Sequence, residues 1–419
     1  MKVTILTYDS RSDVQPLIHL SVSLIARGHS VKLAAPARFE VSVQGLGITF
    51  VPLAGDPAVL SRGLNDSGNN FLMMIRALMN HAIEIGADVL QKTEEACRDT
   101  DLVIHTFMHA IDGHTLACER NVPDVHVQLF PMFTPTGDYP NVILPDLKSR
   151  SANRLTHNIS RLITIWGAKI GFEQVRRRAG LPKRKLYSPF DDHSFRPPTP
   201  ILCAWSPGVL PPSKDWQSNV YVTGYFFGEY DSAYQPPVEL QKFLKASEAP
   251  ICVSFGSMMN RDAQKIDHIV RESLRQTSSC GIILSGWSDV VQQSSDNIIY
   301  LKAIPHQWLL PQCKLIIHHG GVGTVSAGLH SGIPNVVIPF AADQPFWGRR
   351  VYKIGAGPMT IPVRKLSIEN LTRTILEADD HAFHKNAQLI GQELRSEQGV
   401  ENSLNLIEKY SNEFLRFNL

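Results

Sequence analysis

The sequence predicts an α/β protein made of two doubly wound parallel-sheet domains in tandem. Short β-branched runs alternate with longer amphipathic stretches along the whole chain, the mark of βαβ units. At 419 residues the chain is about two domains long. The alternation breaks at residues 226–237 (FFGEYDSAYQPP), where aromatic, Gly and paired Pro residues read as a linker.

The elements follow in order. Residues 3–6 read as a first strand. A helix over 14–27 follows, with Pro16 in its first turn and Gly28 as its stop. Strands are expected at 31–34, 50–52, 102–105, 125–129, 201–204 and 220–222. Long helices are expected over 71–97 and 152–178. Beyond the linker, strands are expected at 251–255, 281–284, 298–301, 315–318 and 335–338, with an amphipathic helix over 402–415. The domain boundaries become 1–228, a linker at 229–240, 241–396, and a terminal segment 397–419. In such sheets ligands sit past the carboxyl ends of the strands, and a cleft between the two domains is the expected site.

Composition narrows the class. Lys and Arg number 41 against 39 Asp and Glu, a net charge of +2, which argues against a dedicated nucleic-acid binder. The six cysteines form no CxxC pair, so no disulfide framework or cysteine zinc site is suggested. No apolar run approaches a bilayer span, and the N-terminal run is too short for a signal peptide, so a cytoplasmic location is expected.

The most informative stretch is LIIHHGGVGTVSAGLHSGIPNVVIPFAADQPFWGRR, residues 315–350. An apolar strand runs into His319-Gly320-Gly321-Val322-Gly323-Thr324 and then a helix. Glycines let a backbone approach a ligand, and free amides at a helix N-terminus favour an anion such as phosphate. No Gly-Lys-Ser/Thr follows, so this is not a P-loop. A dinucleotide fingerprint fits in part, as Gly321-x-Gly323-x-x-Ser326 with Asp343 twenty positions after Gly323. A nicotinamide or flavin oxidoreductase therefore stays open on the residues alone, as does a plain strand–helix turn.

The glycine stretch, Gly332-Ile333-Pro334 and Asp343-Gln344-Pro345-Phe346-Trp347-Gly348 together resemble the donor signature of family 1 glycosyltransferases. Ile304-Pro305-His306-Gln307-Trp308-Leu309 and the DQPFWGRRV run are most similar to the sterol glucosyltransferase and antibiotic glycosyltransferase branch. Ser10-Arg11-Ser12-Asp13-Val14-Gln15-Pro16 is similar to that branch's GTRGDVQP opening, with serines in place of both glycines. Val253-Ser254-Phe255-Gly256-Ser257-Met258 resembles its first C-terminal strand and loop.

The resemblance implies a GT-B fold of two facing Rossmann-like domains, and an inverting, metal-independent transfer of a hexose from a UDP-sugar. UDP-glucose is the favoured donor, and no other cofactor is implied. The acceptor would be a lipophilic alcohol such as a sterol, terpenoid, polyketide or glycolipid. A dTDP-deoxysugar-dependent natural-product transferase and a non-catalytic partner of a transferase are the alternatives. The resemblance also implies residue roles. His319, the amides around Gly321, Gly323 and Thr324, and Ser257 would hold the donor diphosphate. Residues 303–306, with Ile304 and His306, would line the base pocket, and Asp343 and Gln344 would accept hydrogen bonds from sugar hydroxyls. The terminal helix would cross back to the first domain.

Asp13, in the first strand–helix turn, is the expected general base, because the attacking acceptor hydroxyl must lose a proton. Capping the helix is its alternative role. Asp112 is a supporting candidate. Ser10, His109 and Pro131 are expected to line the acceptor site, within loops at 61–79 and 131–149. His105, His109, Asp112 and His114 have a spacing a metal could use, but they straddle a strand, a loop and a helix start, and no metal site is expected. Asp99-Thr100-Asp101 precedes its strand and reads as a turn. Residues 163–185 place Ile163, Ile165, Trp166, Ile170 and Phe172 beside basic clusters. A core-facing helix and a peripheral contact with the inner membrane surface are both open there.

Overall fold

Four-residue runs such as LVIH and LIIH are apolar on successive residues, so they suit strands covered on both faces, as parallel strands are. In the computed structural model these runs form two parallel sheets. The structure describes residues 1–8, 10–56, 71–144, 147–191, 194–228, 234–246, 248–256, 263–286 and 294–417. The chain divides into two compact units: Met1–Gly228 with Gln398–Leu419, and Glu229–Glu397.

The first unit contains β1 (Lys2–Leu6), α1 (Arg11–Ala26), β2 (Ser30–Pro36), β3 (Thr49–Leu53), α2 (Phe71–Ala96), β4 (Leu102–His105), α3 (Ala110–Arg120), β5 (Asp124–Gln128), α4 (Arg150–Arg178), β6 (Ile201–Cys203) and β7 (Val220–Val222). Its sheet order is β3-β2-β1-β4-β5-β6-β7, with Leu6 of β1 level with Ala34 on one side and His105 on the other. The order reverses between β1 and β4, so the ligand crevice lies past the ends of those two strands.

The second unit contains α5 (Val238–Ala246), β8 (Ile251–Ser254), α6 (Ala263–Gln276), β9 (Gly281–Leu284), β10 (Ile298–Leu301), β11 (Leu315–His318), α7 (Val322–Ser331), β12 (Asn335–Val337), α8 (Gln344–Lys353), α9 (Ile368–Ala378) and α10 (His381–Ser396). Its sheet order is β10-β9-β8-β11-β12, which reverses between β8 and β11. Ile251, Val253 and Ile317 pack on α6 and α9, while Cys252 and Ile316 face the other layer with Leu240 and Leu309. The last helix, α11 (Gly399–Phe417), belongs to the first unit, where Arg27 pairs with Glu401 and Glu408.

Most boundaries shift by one to three residues from the sequence expectation, and two shifts change a reading. α1 begins at Arg11 rather than at residue 14, so Pro16 lies in its second turn and Asp13 in its first. α5 begins at Val238, inside the span assigned to the linker. Among the described residues no helix is long and apolar enough to cross a membrane.

Candidate active site

In the first unit, the residues after β1 and β4 flank the crevice. Ser10 is the N-cap of α1, but its hydroxyl caps no backbone amide. It donates instead to Asp13 Oδ2 at 2.9 Å, and the Ser12 hydroxyl donates to the same oxygen at 3.2 Å. Asp13 is therefore the third helical residue, neither in a loop nor at the cap position. Its burial raises the carboxyl pKa to about 6, against the lowering effect of the Ser10 and Ser12 hydrogen bonds. A carboxylate desolvated this way is a stronger base than one in water.

Past β4, Asp112 in the first turn of α3 holds the His109 ring, with Oδ2 2.7 Å from Nδ1. Both side chains are buried, and among the described residues His109 Nε2 and Asp112 Oδ1 have no partner. Asp112 thus orients His109; no hydrogen bond to Asp13 is present among the described residues. Pro131 is buried past β5, next to an aromatic cluster in which Phe107 stacks on Phe133 and Phe133 lies 4.3 Å from Phe190.

In the second unit, the two adjacent histidines have different work. His318 is fully buried; its Nε2 faces Asn335 Oδ1 at 3.0 Å and its Nδ1 accepts from the Gly320 amide at 3.1 Å. Both ring nitrogens are spent on structure. His319 has a pKa pushed down to about 4 by burial, opposed in part by the Ser254 backbone, and its Nδ1 has no partner among the described residues. A neutral imidazole carries a single N–H, so Nδ1 can donate to an anionic oxygen only in the tautomer that gives up the Ser254 carbonyl.

The glycines make this loop sterically possible. Gly320 has φ +92°, and a Cβ there would lie 2.6 Å from Val337 Cγ1; a Cβ on Gly321 would lie 2.5 Å from His319 Nε2. The amide of Thr324 donates to the Gly321 carbonyl at 3.0 Å, so that amide is not free for a ligand. Among the described residues the amides of Val322 and Gly323 have no acceptor, as the first turn of a helix leaves them. The β8 loop joins this edge: a Cβ on Gly256 would lie 3.5 Å from His319 Cε1. Ser257 lies outside the described residues.

The remaining donor-site candidates of the second unit have the following surroundings. Ile304 is buried in the hydrophobic core with Leu284, Leu309 and Ile333, so its side chain is taken up by packing. His306 opens a short helical turn that packs on α7. Gln344 is buried and its Oε1 already accepts from the Phe340 and Ala341 amides at 2.8 and 3.2 Å, leaving only its NH2 for a ligand. Those bonds brace a tight turn in which Ala342 has φ +56°. Asp343 stands at the N-cap of α8, yet its Oδ2 accepts from the Trp347 indole at 2.9 Å rather than capping the helix.

A family model, the C-terminal domain of erythromycin biosynthesis protein CIII-like proteins, matches residues 281–403. The structure is similar to the glycotransferase of kitacinnamycin, with a TM-score of 0.71 and 19% identity over 98% of both chains. It is also similar to a Streptomyces sp. SF2575 glycosyltransferase complexed with thymidine diphosphate, with a TM-score of 0.60 and 17% identity over 98% of this chain and 99% of that one. A sterol 3-beta-glucosyltransferase of Arabidopsis thaliana is 32% identical over 98% of this chain and 66% of its own length. A second from the same plant is 30% identical over 98% of this chain and 68% of its own. The chain belongs to the family 1 glycosyltransferases of GT-B fold. It spans about two thirds of the length of these plant family members and 28% of a Yarrowia lipolytica one.

Sequence reasoning grouped His105 and His114 with His109 and Asp112 and missed their partners in this family 1 member, Asp124 and Arg196. His105 Nε2 and His114 Nδ1 both donate to Asp124 Oδ2 at 2.8 Å, and Arg196 pairs with the other carboxylate oxygen. Burial alone would raise the Asp124 pKa; His114, His105 and Arg196 outweigh it and hold the carboxyl well below its usual range. Burial also pushes His105 and His126 down, so both rings are neutral. With its Nε2–H spent on Asp124, His105 must accept at Nδ1 from His126 Nδ1, 3.2 Å away, a tautomer assigned from the network. The ligand atoms of His105, His114 and Asp124 lie within 4.8 Å of one another. A cation there would compete with Arg196 for Asp124 and would displace two protons. The sequence signal was Asp124 itself, a charge opening a fully buried strand. Asp99 and Asp101 are likewise structural, bound to Lys32 and to the Lys2 amide.

Proposed function

We propose that the chain moves a hexose, glucose by preference, from a UDP-sugar to the hydroxyl of a sterol-like alcohol, with inversion and without a metal. The similarity to sterol 3-beta-glucosyltransferases over nearly all of this chain carries this reading. The first unit would bind the acceptor and the second the donor.

Asp13 takes the proton of the acceptor hydroxyl as its oxygen attacks the anomeric carbon. The C–O bond to the diphosphate breaks on the opposite side, so an α-linked donor gives a β-glycoside and UDP. The leaving diphosphate gathers negative charge. The His319 ring, the amides of Val322 and Gly323, and the Thr324 hydroxyl would take that charge, aided by the α7 dipole. Aromatic side chains near Pro131 suit an apolar acceptor.

Two outcomes test these roles. Asp13 acts only as the carboxylate, which predominates above its pKa. Transfer is therefore expected to fall with unit slope as the pH drops through about 6, measured as kcat/KM for the acceptor. His319→Ala removes one hydrogen bond to the donor and is expected to raise the donor KM about tenfold, in steady-state kinetics with UDP-glucose.

A second reading of the base has its own support. The Asp112–His109 pair leaves Nε2 buried and without a partner among the described residues, the arrangement of an oriented imidazole base. His109→Gln separates the two: turnover persists if Asp13 is the base and is lost if His109 is. The overall reading is tested by screening UDP-hexoses and dTDP-deoxysugars against lipophilic alcohols by mass spectrometry.

A further inference from the structure

Helix α4 is built inside out over its first half. Its buried residues there are Asn153, Thr156, His157 and Ser160, all polar. They are hydrogen-bonded inward: Asn153 donates to the Gly137 carbonyl at 3.2 Å, and His157 Nε2 lies 3.0 Å from the Tyr139 carbonyl. The apolar residues point the other way. Leu155, Ile159, Leu162, Trp166 and Ile170 recur at three- and four-residue spacing and so form one line along the helix. All are exposed, from 46% at Ile170 to 65% at Trp166. The line is about 22 Å long at 1.5 Å per residue. Of the apolar residues noted in the sequence, Ile163, Ile165 and Phe172 are half-buried, so the surface begins earlier than residue 163.

Charge selects the occupant. α4 carries seven Arg and Lys against one Glu. Arg176 is consumed by Glu94 and Arg150 by Asp138 and Asp215, but Arg154, Lys169, Arg177 and Arg178 are exposed and have no acidic partner among the described residues. Two copies meeting line to line would bring these cations together. An anionic bilayer would satisfy both the line and its cations, and an indole within the line suits the headgroup boundary.

We propose that α4 rests on an anionic lipid surface, with the Leu155–Ile170 line in the headgroup–acyl boundary and Arg154, Lys169, Arg177 and Arg178 on lipid phosphates. The proposal stands independently of the reaction catalysed. Its test is co-sedimentation of the full chain with vesicles of phosphatidylcholine, alone or mixed with phosphatidylserine. Binding is expected on the mixed vesicles and should weaken with salt. Trp166→Glu and Leu162→Glu should each lower the partition coefficient about tenfold or more. Lys169→Gln and Arg177→Gln should each lower it about fivefold. Leu376→Glu, at an exposed position of the second unit, should change nothing, and melting curves should show every variant folded. The proposal is overturned by absence of binding to the mixed vesicles, by binding that survives Trp166→Glu, or by a dimer in light scattering that Trp166→Glu dissociates.

Discussion

Asp13→Asn is expected to lower kcat by about 10²–10⁴-fold while leaving donor affinity within about twofold, the signature of a lost general base. The amide is isosteric and can still accept from the Ser10 and Ser12 hydroxyls, which bond Oδ2 at 2.9 and 3.2 Å, so the turn should keep its shape. It cannot take a proton. The same substitution should also stabilise the fold. Burial raises the folded-state pKa from 3.8 to about 6, so the native state resists ionisation that the unfolded chain accepts freely. That penalty is absent below the unfolded pKa, grows as pH rises between the two values, and is complete above about 6. Removing the charge should add about 1–3 kcal/mol at pH 7 and nothing near pH 3. Activity and urea denaturation together separate this from a structural role. A slow and destabilised variant would identify Asp13 as a helix residue only.

Asp124→Ala is expected to cost about 3–5 kcal/mol of stability, measured by urea denaturation at pH 7. The loss exceeds that of an ordinary core truncation because the Arg196 guanidinium keeps its charge in a buried site. The His105 and His114 donors lose their acceptor in the same step. The damage should reach α11, since Arg196 also lies over the Phe414 ring, 5.2 Å from its centre. Exchanging Asp124 and Arg196 together for apolar residues should recover much of the loss, because the desolvation of both charges disappears. The carboxyl pKa is depressed in the folded state, so its contribution is fully present above the unfolded value near 4. It is lost as pH falls through the lower folded value.

Most strands were legible because both of their faces are buried; the edge strands β3 and β7 are only partly buried. Runs such as 102–105 and 315–318 have no competing period, and their ends show as turn residues. The start of α1 was not legible. Ser10-Arg11-Ser12 resembles a loop, and the helix shows itself in the Val14 amide donating to the Ser10 carbonyl at 3.2 Å. Partners distant in sequence were hidden for a different reason: Arg196 finds Asp124 across 72 residues, and no local pattern encodes that pairing. Gln344 folds back on its own loop, which a motif cannot reveal. In α4 the apolar spacing was visible, but periodicity gives a face without saying whether it turns inward. The buried Asn, Thr, His and Ser opposite settle its direction.

Inverting transfer of glucose to a sterol-like hydroxyl would leave a β-linked product that a single assay identifies. The purified chain is incubated with UDP-glucose and a 3β-hydroxysterol in the presence of a metal chelator, and the product is examined by mass spectrometry and anomeric proton NMR. The expected result is a β-glucoside formed in step with UDP release. An α-glucoside, strict dependence on added divalent metal, or no glycoside with any nucleotide sugar would contradict it.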